Sequence, residues 1–202
     1  MNVHNLFPTP VAFFRLGRDL TKKELDFVLG QERRPNEGNT TSDNRTILKA
    51  PELTSVRDFI EDAVLEYFKT VHAPEGDVNL YITQSWANYT ERGQYHHKHT
   101  HPNSFVSGVF YPQADRSFDK IYFFKEGYDR IKLTTEKYNI WNSESWWFEV
   151  GAGDLILFPS NLTHMVTTKE GDQTRVSIAF NTFVKGHIGI DEGLTGLSLG
   201  ES

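Results

Sequence analysis

Short β-prone segments follow one another along the second half of the sequence, and they constrain the fold more than any other feature. Turn residues separate the runs 78–89, 105–111, 121–124, 131–135, 146–150, 154–158, 163–168 and 175–184. About eight strands in about 110 residues is typical of a jelly roll or another double-sheet barrel. We therefore expect two packed antiparallel sheets over this part of the chain.

The first part of the chain has a different pattern. Thr21 and Glu24 have the spacing of a capping box, which predicts a short helix. Apolar residues then recur at threes and fours from Leu53 to Val71, which predicts a longer amphipathic helix. We interpret residues 7–16 as a strand and the polar residues 31–46 as a loop.

Both predicted helices precede the eight strands of the second half, so they cannot be crossovers between parallel strands of that set. The predicted fold class is therefore mainly β (α+β), with a jelly-roll core, or double-stranded β-helix, and N-terminal supporting helices. We expect a single domain over residues 1–202, made of a helical support (1–76), a jelly-roll core (77–185) and a tail (186–202). The Gly-rich tail is expected to be loosely ordered or to pack against a partner.

Composition excludes several classes of protein. Lys and Arg total 21 against 27 Asp and Glu, and a formal charge of −6 argues against a nucleic-acid binder. The absence of Cys excludes disulfides, thiolate metal sites and cysteine nucleophiles. No apolar run approaches the ~20 residues of a membrane span, and the first residues do not resemble a signal peptide. We therefore expect no membrane partner and a cytoplasmic location.

Histidines concentrate in one short segment. Four of the eight lie at His96, His97, His99 and His101, and His164 follows a predicted strand. Side chains alternate along a strand, so His97, His99 and His101 would project to one side and His96 to the other. Imidazoles at i and i+2, with a third from another strand, can bind one divalent cation such as Fe, Zn, Cu or Ni. The alternatives are surface histidines near a turn or a structural zinc site.

A second polar group follows His164. Arg175 begins a predicted strand on which Ser177 shares its face. A guanidinium can bind a carboxylate through two hydrogen bonds, and a buried Arg beside a metal would need such an anion. A dicarboxylate that also chelates the metal would supply it. The alternative is a surface Arg at the start of a strand.

Read together, these residues resemble the 2-oxoglutarate- and Fe(II)-dependent oxygenase superfamily. Its pattern is H-x-D/E, a long gap, H, a short spacer and R-x-S, and the matching positions here are His99-Thr100-His101, His164 and Arg175-Val176-Ser177. The segments HTHPNSFVSGVFY, LILFPSNLTH and RVSIAFN are similar to a small oxygenase family of marine bacteria and their phages. Ala87-Asn88-Tyr89 resembles the lead-in to the metal motif of prolyl 4-hydroxylases. The resemblance covers residues 80–185.

The resemblance implies a dioxygenase that uses Fe(II) and 2-oxoglutarate to hydroxylate a small molecule or a peptide. It implies that His99, His101 and His164 bind the metal. It also implies that Arg175 and Ser177 bind the distal carboxylate of 2-oxoglutarate, with Asn88 and Tyr89 as further cofactor contacts.

One residue departs from the family pattern. His101 stands where most of the superfamily has a carboxylate, which leaves a bound iron more positively charged. His97 is an alternative ligand if the register is shifted by two residues. Two other functions fit the residues: a cupin-like metal dioxygenase that uses no 2-oxo acid, and a binding module in which the metal only braces a loop. An aromatic patch around Trp141, Trp146 and Trp147 is compatible with either a substrate entrance or a dimer edge, and the Gly-rich tail is also compatible with a homodimer.

Overall fold

The fold is mainly β, as the sequence predicts. The computed structural model describes residues 1–125, 127, 131 and 133–200. Within these residues there are two α-helices, α1 (Lys22–Leu29) and α2 (Thr54–His72), and two short 3-10 helices, Ile47–Lys49 and Pro51–Leu53. The strands are β1 (Ala12–Arg15), β2 (Arg33–Asn36), β3 (Asn39–Ser42), β4 (Asn79–Thr90), β5 (His96–His99), β6 (Val106–Gln113), β7 (Lys120–Phe124), β8 (Ser145–Glu149), β9 (Asp154–Pro159), β10 (His164–Val166), β11 (Arg175–Ile188) and β12 (Leu197–Leu199).

The strands form two antiparallel sheets. The major sheet has the order β1-β9-β6-β11-β4-β3-β2, with β12 paired to β11, and the minor sheet has the order β5-β10-β7-β8. This double-sheet arrangement confirms the predicted jelly-roll core. Strands from both sheets line one recess, so the candidate site lies between the two sheets.

The helices cover the other face of the major sheet. Val56, Ile60 and Phe68 of α2 pack in one buried cluster with Tyr89 and Phe180 of the sheet. Thr21 and Glu24 form the predicted capping box at the start of α1. Because α2 buries its apolar stripe on this face, the opposite face remains for the minor sheet and the recess. Among the residues described, no helix is both long enough and apolar enough to span a membrane.

The region expected as a helical support contains a β-hairpin in addition to β1, which lies within the predicted strand 7–16. Part of the segment 31–46, expected as a loop, forms the hairpin β2–β3, which pairs with β4 through Thr40 and Thr41. The sequence RRPN of β2 has charged residues and a proline, so its β-propensity is low. Tertiary pairing with the edge of β4 supplies the backbone hydrogen bonds that the local sequence does not predict.

Two further expectations need correction. The tail is not loosely ordered throughout: β11 continues to Ile188, and β12 folds back to pair with it. Residues 201 and 202 of the expected tail lie outside the described part. The predicted strand 131–135 is not formed at the positions that the structure describes, and Lys132 falls outside them.

Candidate active site

Three histidines converge in the recess between the sheets. His99 ends β5 and lies opposite His164, the first residue of β10. His101 follows β5 and is fixed by a backbone hydrogen bond from its N–H to the carbonyl of Ser160, 2.9 Å away. One ring nitrogen from each histidine lies within 4.8 Å of the other two. The structure thus brings together the three residues that the sequence motif singles out.

Each of these rings has its Nδ1 beside an oxygen acceptor. The Nδ1 of His99 lies 2.8 Å from the carbonyl of His97, and that of His164 lies 2.9 Å from the carbonyl of Leu162. The Nδ1 of His101 lies 2.7 Å from Oδ1 of Asn181. These oxygens can only accept, so Nδ1 donates its proton in all three rings and Nε2 of each neutral ring has a free lone pair.

Burial keeps these imidazoles neutral. It lowers the pKa of His101 to about 4 and the pKa of His164 to about 3, with smaller contributions from neighbouring histidines. The pKa of His99 is also lowered, mainly by burial. Neutral imidazole is the form that binds a metal ion. At neutral pH the three rings are therefore ready to act as ligands.

The spacing of the nitrogens fits a divalent cation. Nε2 of His101 and Nε2 of His164 are 3.3 Å apart, although neither carries a proton to share. Two nitrogen ligands bound at ~2.1 Å to one ion, at octahedral to tetrahedral angles, lie roughly 2.9–3.4 Å apart. A cation between them would convert a contact of two lone pairs into two coordinate bonds.

Arg175 lies in the same recess and is almost fully buried, with 3% of its side chain exposed. Its Nη2 donates to Oγ1 of Thr90 over 2.9 Å. Burial lowers the pKa of Arg175, whereas Tyr111 and Asp119 raise it, and a guanidinium remains charged under all ordinary conditions. The recess therefore combines a set of neutral metal ligands with a buried positive charge.

Two smaller polar side chains lie beside Arg175. Ser177, two residues further along β11, faces the recess and is paired in register with Asn88 of β4. The Oδ1 of Asn88 is buried and has no hydrogen-bond partner among the residues that the structure describes. An unpaired buried polar atom is costly, so this amide is a group that a polar ligand would satisfy.

Tyr89 does not join these residues. It follows Asn88 on the same strand and therefore points to the opposite face of the sheet. Its hydroxyl donates to the carbonyl of Val28, 2.5 Å away, and Arg33 lies over its ring. The interpretation of Tyr89 as a cofactor contact conflicts with this position on the helix-covered face.

His96 and His97 are arranged differently from the sequence expectation. His96 pairs with Val166 while His99 pairs with His164, so β5 has one extra residue and a bulge. Because of the bulge, His96 and His99 both line the recess instead of pointing to opposite sides. His97 belongs to a second set of three imidazoles, with His96 and His99, that includes neither His101 nor His164.

The sequence reasoning missed two charged residues behind Arg175. Lys169 and Asp119 form a buried ion pair with a distance of 3.0 Å between Nζ and Oδ1, and the same Oδ1 lies 4.0 Å from Nη1 of Arg175. Both residues lie outside regular strand interiors and carry no motif. Charged residues in such segments are mostly exposed, so the sequence holds no signal for this burial.

Comparisons with known proteins agree with this geometry. Residues 84–181 match the family model described as "Putative 2OG-Fe(II) oxygenase". No curated protein matches the sequence.

Three solved structures show the similarity in fold. A 2OG-Fe(II) oxygenase family oxidoreductase from Burkholderia pseudomallei is 13% identical, with a TM-score of 0.54, and the match covers 77% of this chain and 73% of that one. HygX from Streptomyces hygroscopicus, solved with nickel, 2-oxoglutarate and hygromycin B, is 12% identical, with a TM-score of 0.57 and coverage of 86% and 82%. The α-ketoglutarate-dependent epimerase SnoN from nogalamycin biosynthesis is 10% identical, with a TM-score of 0.60 and coverage of 87% and 76%. The resemblance of this chain to the 2-oxoglutarate- and Fe(II)-dependent oxygenase superfamily is therefore confirmed, in sequence over residues 84–181 and in fold over most of the chain.

Proposed function

We propose that this protein is an Fe(II)- and 2-oxoglutarate-dependent dioxygenase that hydroxylates an organic substrate. The family match supports an oxygenase-type, oxidoreductase function and the cofactors of that family. The observation that carries the proposal is the position of three neutral, buried imidazoles in the same recess as a buried guanidinium. A structural metal site gives no reason for Arg175 to be buried beside it.

His99, His101 and His164 would hold Fe(II) through Nε2. Each ring is oriented by the hydrogen bond at its Nδ1, so the ligand nitrogens are directed before the ion arrives. None of the three ligands carries a negative charge. A 2-oxo acid is an anionic chelator and would balance part of the charge of the ion.

Arg175 would bind the distal carboxylate of 2-oxoglutarate, and Ser177 would add a hydroxyl donor beside it. The buried amide of Asn88 is a further candidate contact, because its Oδ1 has no hydrogen-bond partner in the described part of the chain. When bound, Fe(II) and 2-oxoglutarate would supply the oxidising chemistry: one atom of O₂ would go into succinate, formed with CO₂ from the 2-oxo acid, and the other into the hydroxylated substrate. Ile121 and Val166 are apolar lining residues of the recess and would limit the access of water to it.

Small organic molecules are the first class of substrate to test. HygX was solved with hygromycin B bound, and SnoN is named as an epimerase from nogalamycin biosynthesis, which favours a small molecule as the substrate of this chain. The lead-in Ala87-Asn88-Tyr89 keeps a peptide as the second class.

The test is an anaerobic titration of Fe(II) followed by 2-oxoglutarate, monitored through the visible charge-transfer band of the ternary complex. We expect the band in the wild-type protein and its loss in His164→Ala. His97→Ala is the matched control, since it removes a neighbouring imidazole outside the set of three ligands. Iron binding without a 2-oxoglutarate band would contradict the proposal and favour a cupin-like dioxygenase. Equal iron binding by wild type and His164→Ala would show that the ligand assignment is wrong.

A further inference from the structure

A buried ion pair lies directly behind Arg175. The side chains of Lys169 and Asp119 are 0% and 1% exposed, and Nζ is 3.0 Å from Oδ1. The second carboxylate oxygen, Oδ2, accepts a hydrogen bond of 2.8 Å from the backbone N–H of Asp115. Both oxygens of Asp119 therefore have partners other than Arg175.

Arg175 is close to this carboxylate but does not hydrogen bond to it. Its Nη1 is 4.0 Å from Oδ1 of Asp119, beyond hydrogen-bonding distance, and its Nη2 is directed to Thr90. Asp154, another carboxylate of this region, is paired with Arg116. The buried group of Lys169, Asp119 and Arg175 thus carries one net positive charge, which is unfavourable in a dry environment unless an anion compensates it.

The backbone of Lys169 is hydrogen-bonded to the segment that precedes the histidines. Its backbone N–H donates to the carbonyl of Gln94, and its carbonyl accepts from the N–H of Gly93. These residues form the turn between β4 and β5, the strand that carries His96 to His99. The backbone of Lys169 is therefore fixed by the same turn that leads into the histidine segment, and its ammonium is held by Asp119.

We propose that Lys169 is a positioning residue that occupies Asp119 and so keeps Arg175 available for the carboxylate of 2-oxoglutarate. This inference rests on the proposed function. Without the ammonium, Oδ1 of Asp119 loses its nearest cation, and Arg175 is the next one at 4.0 Å. A guanidinium pairs readily with a carboxylate through two hydrogen bonds. An internal pair between Arg175 and Asp119 would then compete with the incoming anion.

The test compares two 2-oxo acids that differ only at the distal end. Binding of 2-oxoglutarate and of 2-oxopentanoate, which has a methyl group in place of the distal carboxylate, is measured anaerobically on Fe(II)-loaded protein. In Lys169→Met we expect 2-oxoglutarate affinity to fall by about tenfold or more, as for the loss of a charged hydrogen bond. Affinity for 2-oxopentanoate should stay the same. Lys169→Arg, which keeps the charge, should retain the wild-type ratio of the two affinities.

A double variant separates this role from a merely structural one. Lys169→Met combined with Asp119→Asn removes both charges of the pair, leaves no orphaned carboxylate and restores a free Arg175. In this double variant we expect the ratio of the affinities for 2-oxoglutarate and 2-oxopentanoate to return to the wild-type value. If Lys169→Met alone does not fold, the double variant alone tests the role of Lys169. A double variant that has lost the preference for 2-oxoglutarate would overturn the inference.

The outcomes for the two proposals are distinct. If the wild-type protein binds iron but no 2-oxoglutarate, the proposed function is wrong and this inference falls with it. If the wild-type protein binds 2-oxoglutarate and Lys169→Met keeps the same affinity ratio, only the inference about Lys169 is overturned. A loss shared equally by both acids would also overturn it, because it would indicate general damage to the site.

Discussion

Replacing Asn181 with Leu is expected to weaken metal binding without changing any of the three histidines. Asn181 lies on β11 at a register shift, and its Oδ1 accepts from Nδ1 of His101 at 2.7 Å and from Oγ of Ser107 at 3.0 Å. Leu has a similar size but no acceptor. The Nδ1 proton of His101 would then be buried without a partner, and the ring would no longer be held in the tautomer that leaves Nε2 free.

The magnitude follows from this buried hydrogen bond. A buried donor left without a partner costs ~1–3 kcal/mol. Loss of a hydrogen bond behind a metal-binding histidine lowers metal affinity by roughly 10–100-fold. Trp86 stacks on the ring of His101, with centroids 5.8 Å apart, so the ring keeps its place when the hydrogen bond is lost. We therefore expect an effect within that range and not a complete loss of binding.

The assay is competition for Co(II) or Ni(II) between the protein and a chelating dye, with circular dichroism to verify folding. Asn181→Asp is the matched control, because it keeps an acceptor opposite Nδ1 and should bind metal at least as tightly as the wild type. A folded Asn181→Leu protein whose metal affinity is within threefold of the wild type would refute the reasoning.

Three other predictions address the anion pocket, the core and the pH dependence. Arg175→Ala should raise the KM for 2-oxoglutarate steeply, since removing one partner of a buried charge pair costs ~3–5 kcal/mol. Steady-state succinate release measures this KM, and an unchanged value would show that Arg175 does not bind 2-oxoglutarate. Gly108→Ala should lower the free energy of unfolding by ~1–3 kcal/mol in a urea titration, because a Cβ there would lie 2.2 Å from Cζ of Phe180; an unshifted midpoint would contradict this packing. The pKa values of His101 and His164 are lowered to about 4 and about 3, so below pH ~6.5 the unfolded chain binds more protons than the folded one. The metal-free protein should therefore lose stability as the pH falls from ~6.5 towards 4, by up to ~1.4 kcal/mol per pH unit for each of the two histidines. Urea titrations at pH 7 and pH 5 measure this loss, and equal midpoints would show that these histidines are not buried.

The core of the fold was predictable because it depends on local sequence. The short β-prone runs that form β4, β6, β9 and β11, and the apolar stripe of α2, are properties of single segments of the chain. The hairpin β2–β3 was not predictable in this way, since it depends on pairing with a strand about 50 residues away. A single domain, a homodimer and a cytoplasmic location remain predictions.

Part of the site followed from the same local rule. Residues at i and i+2 of a strand share a face, so Arg175 and Ser177 were expected to face one ligand, and they line the recess together. The rule also separates Asn88 from Tyr89, because neighbouring residues on a strand point to opposite faces. Strand alternation alone therefore excludes one member of that pair from the pocket.

The rule failed for His96, because the bulge in β5 is set by pairing with β10 and not by the residues of β5 themselves. The burial of Lys169 and Asp119 was equally invisible, since it depends on two separate turns meeting behind β11. Charge balance inside a site is a property of groups brought together from distant parts of the chain.

The order of residues by itself supplied the chemical groups: imidazoles at close spacing, a guanidinium two residues before a hydroxyl, and strands short enough for a jelly roll. Only the tertiary structure decided that His99, His101 and His164 meet in one recess, and that the guanidinium of Arg175 lies 4.0 Å from Asp119 without a hydrogen bond to it. The physical reason is that His101 and His164 approach to 3.3 Å across 63 residues of chain. Such a distance is fixed by the register between strands, which no local pattern encodes.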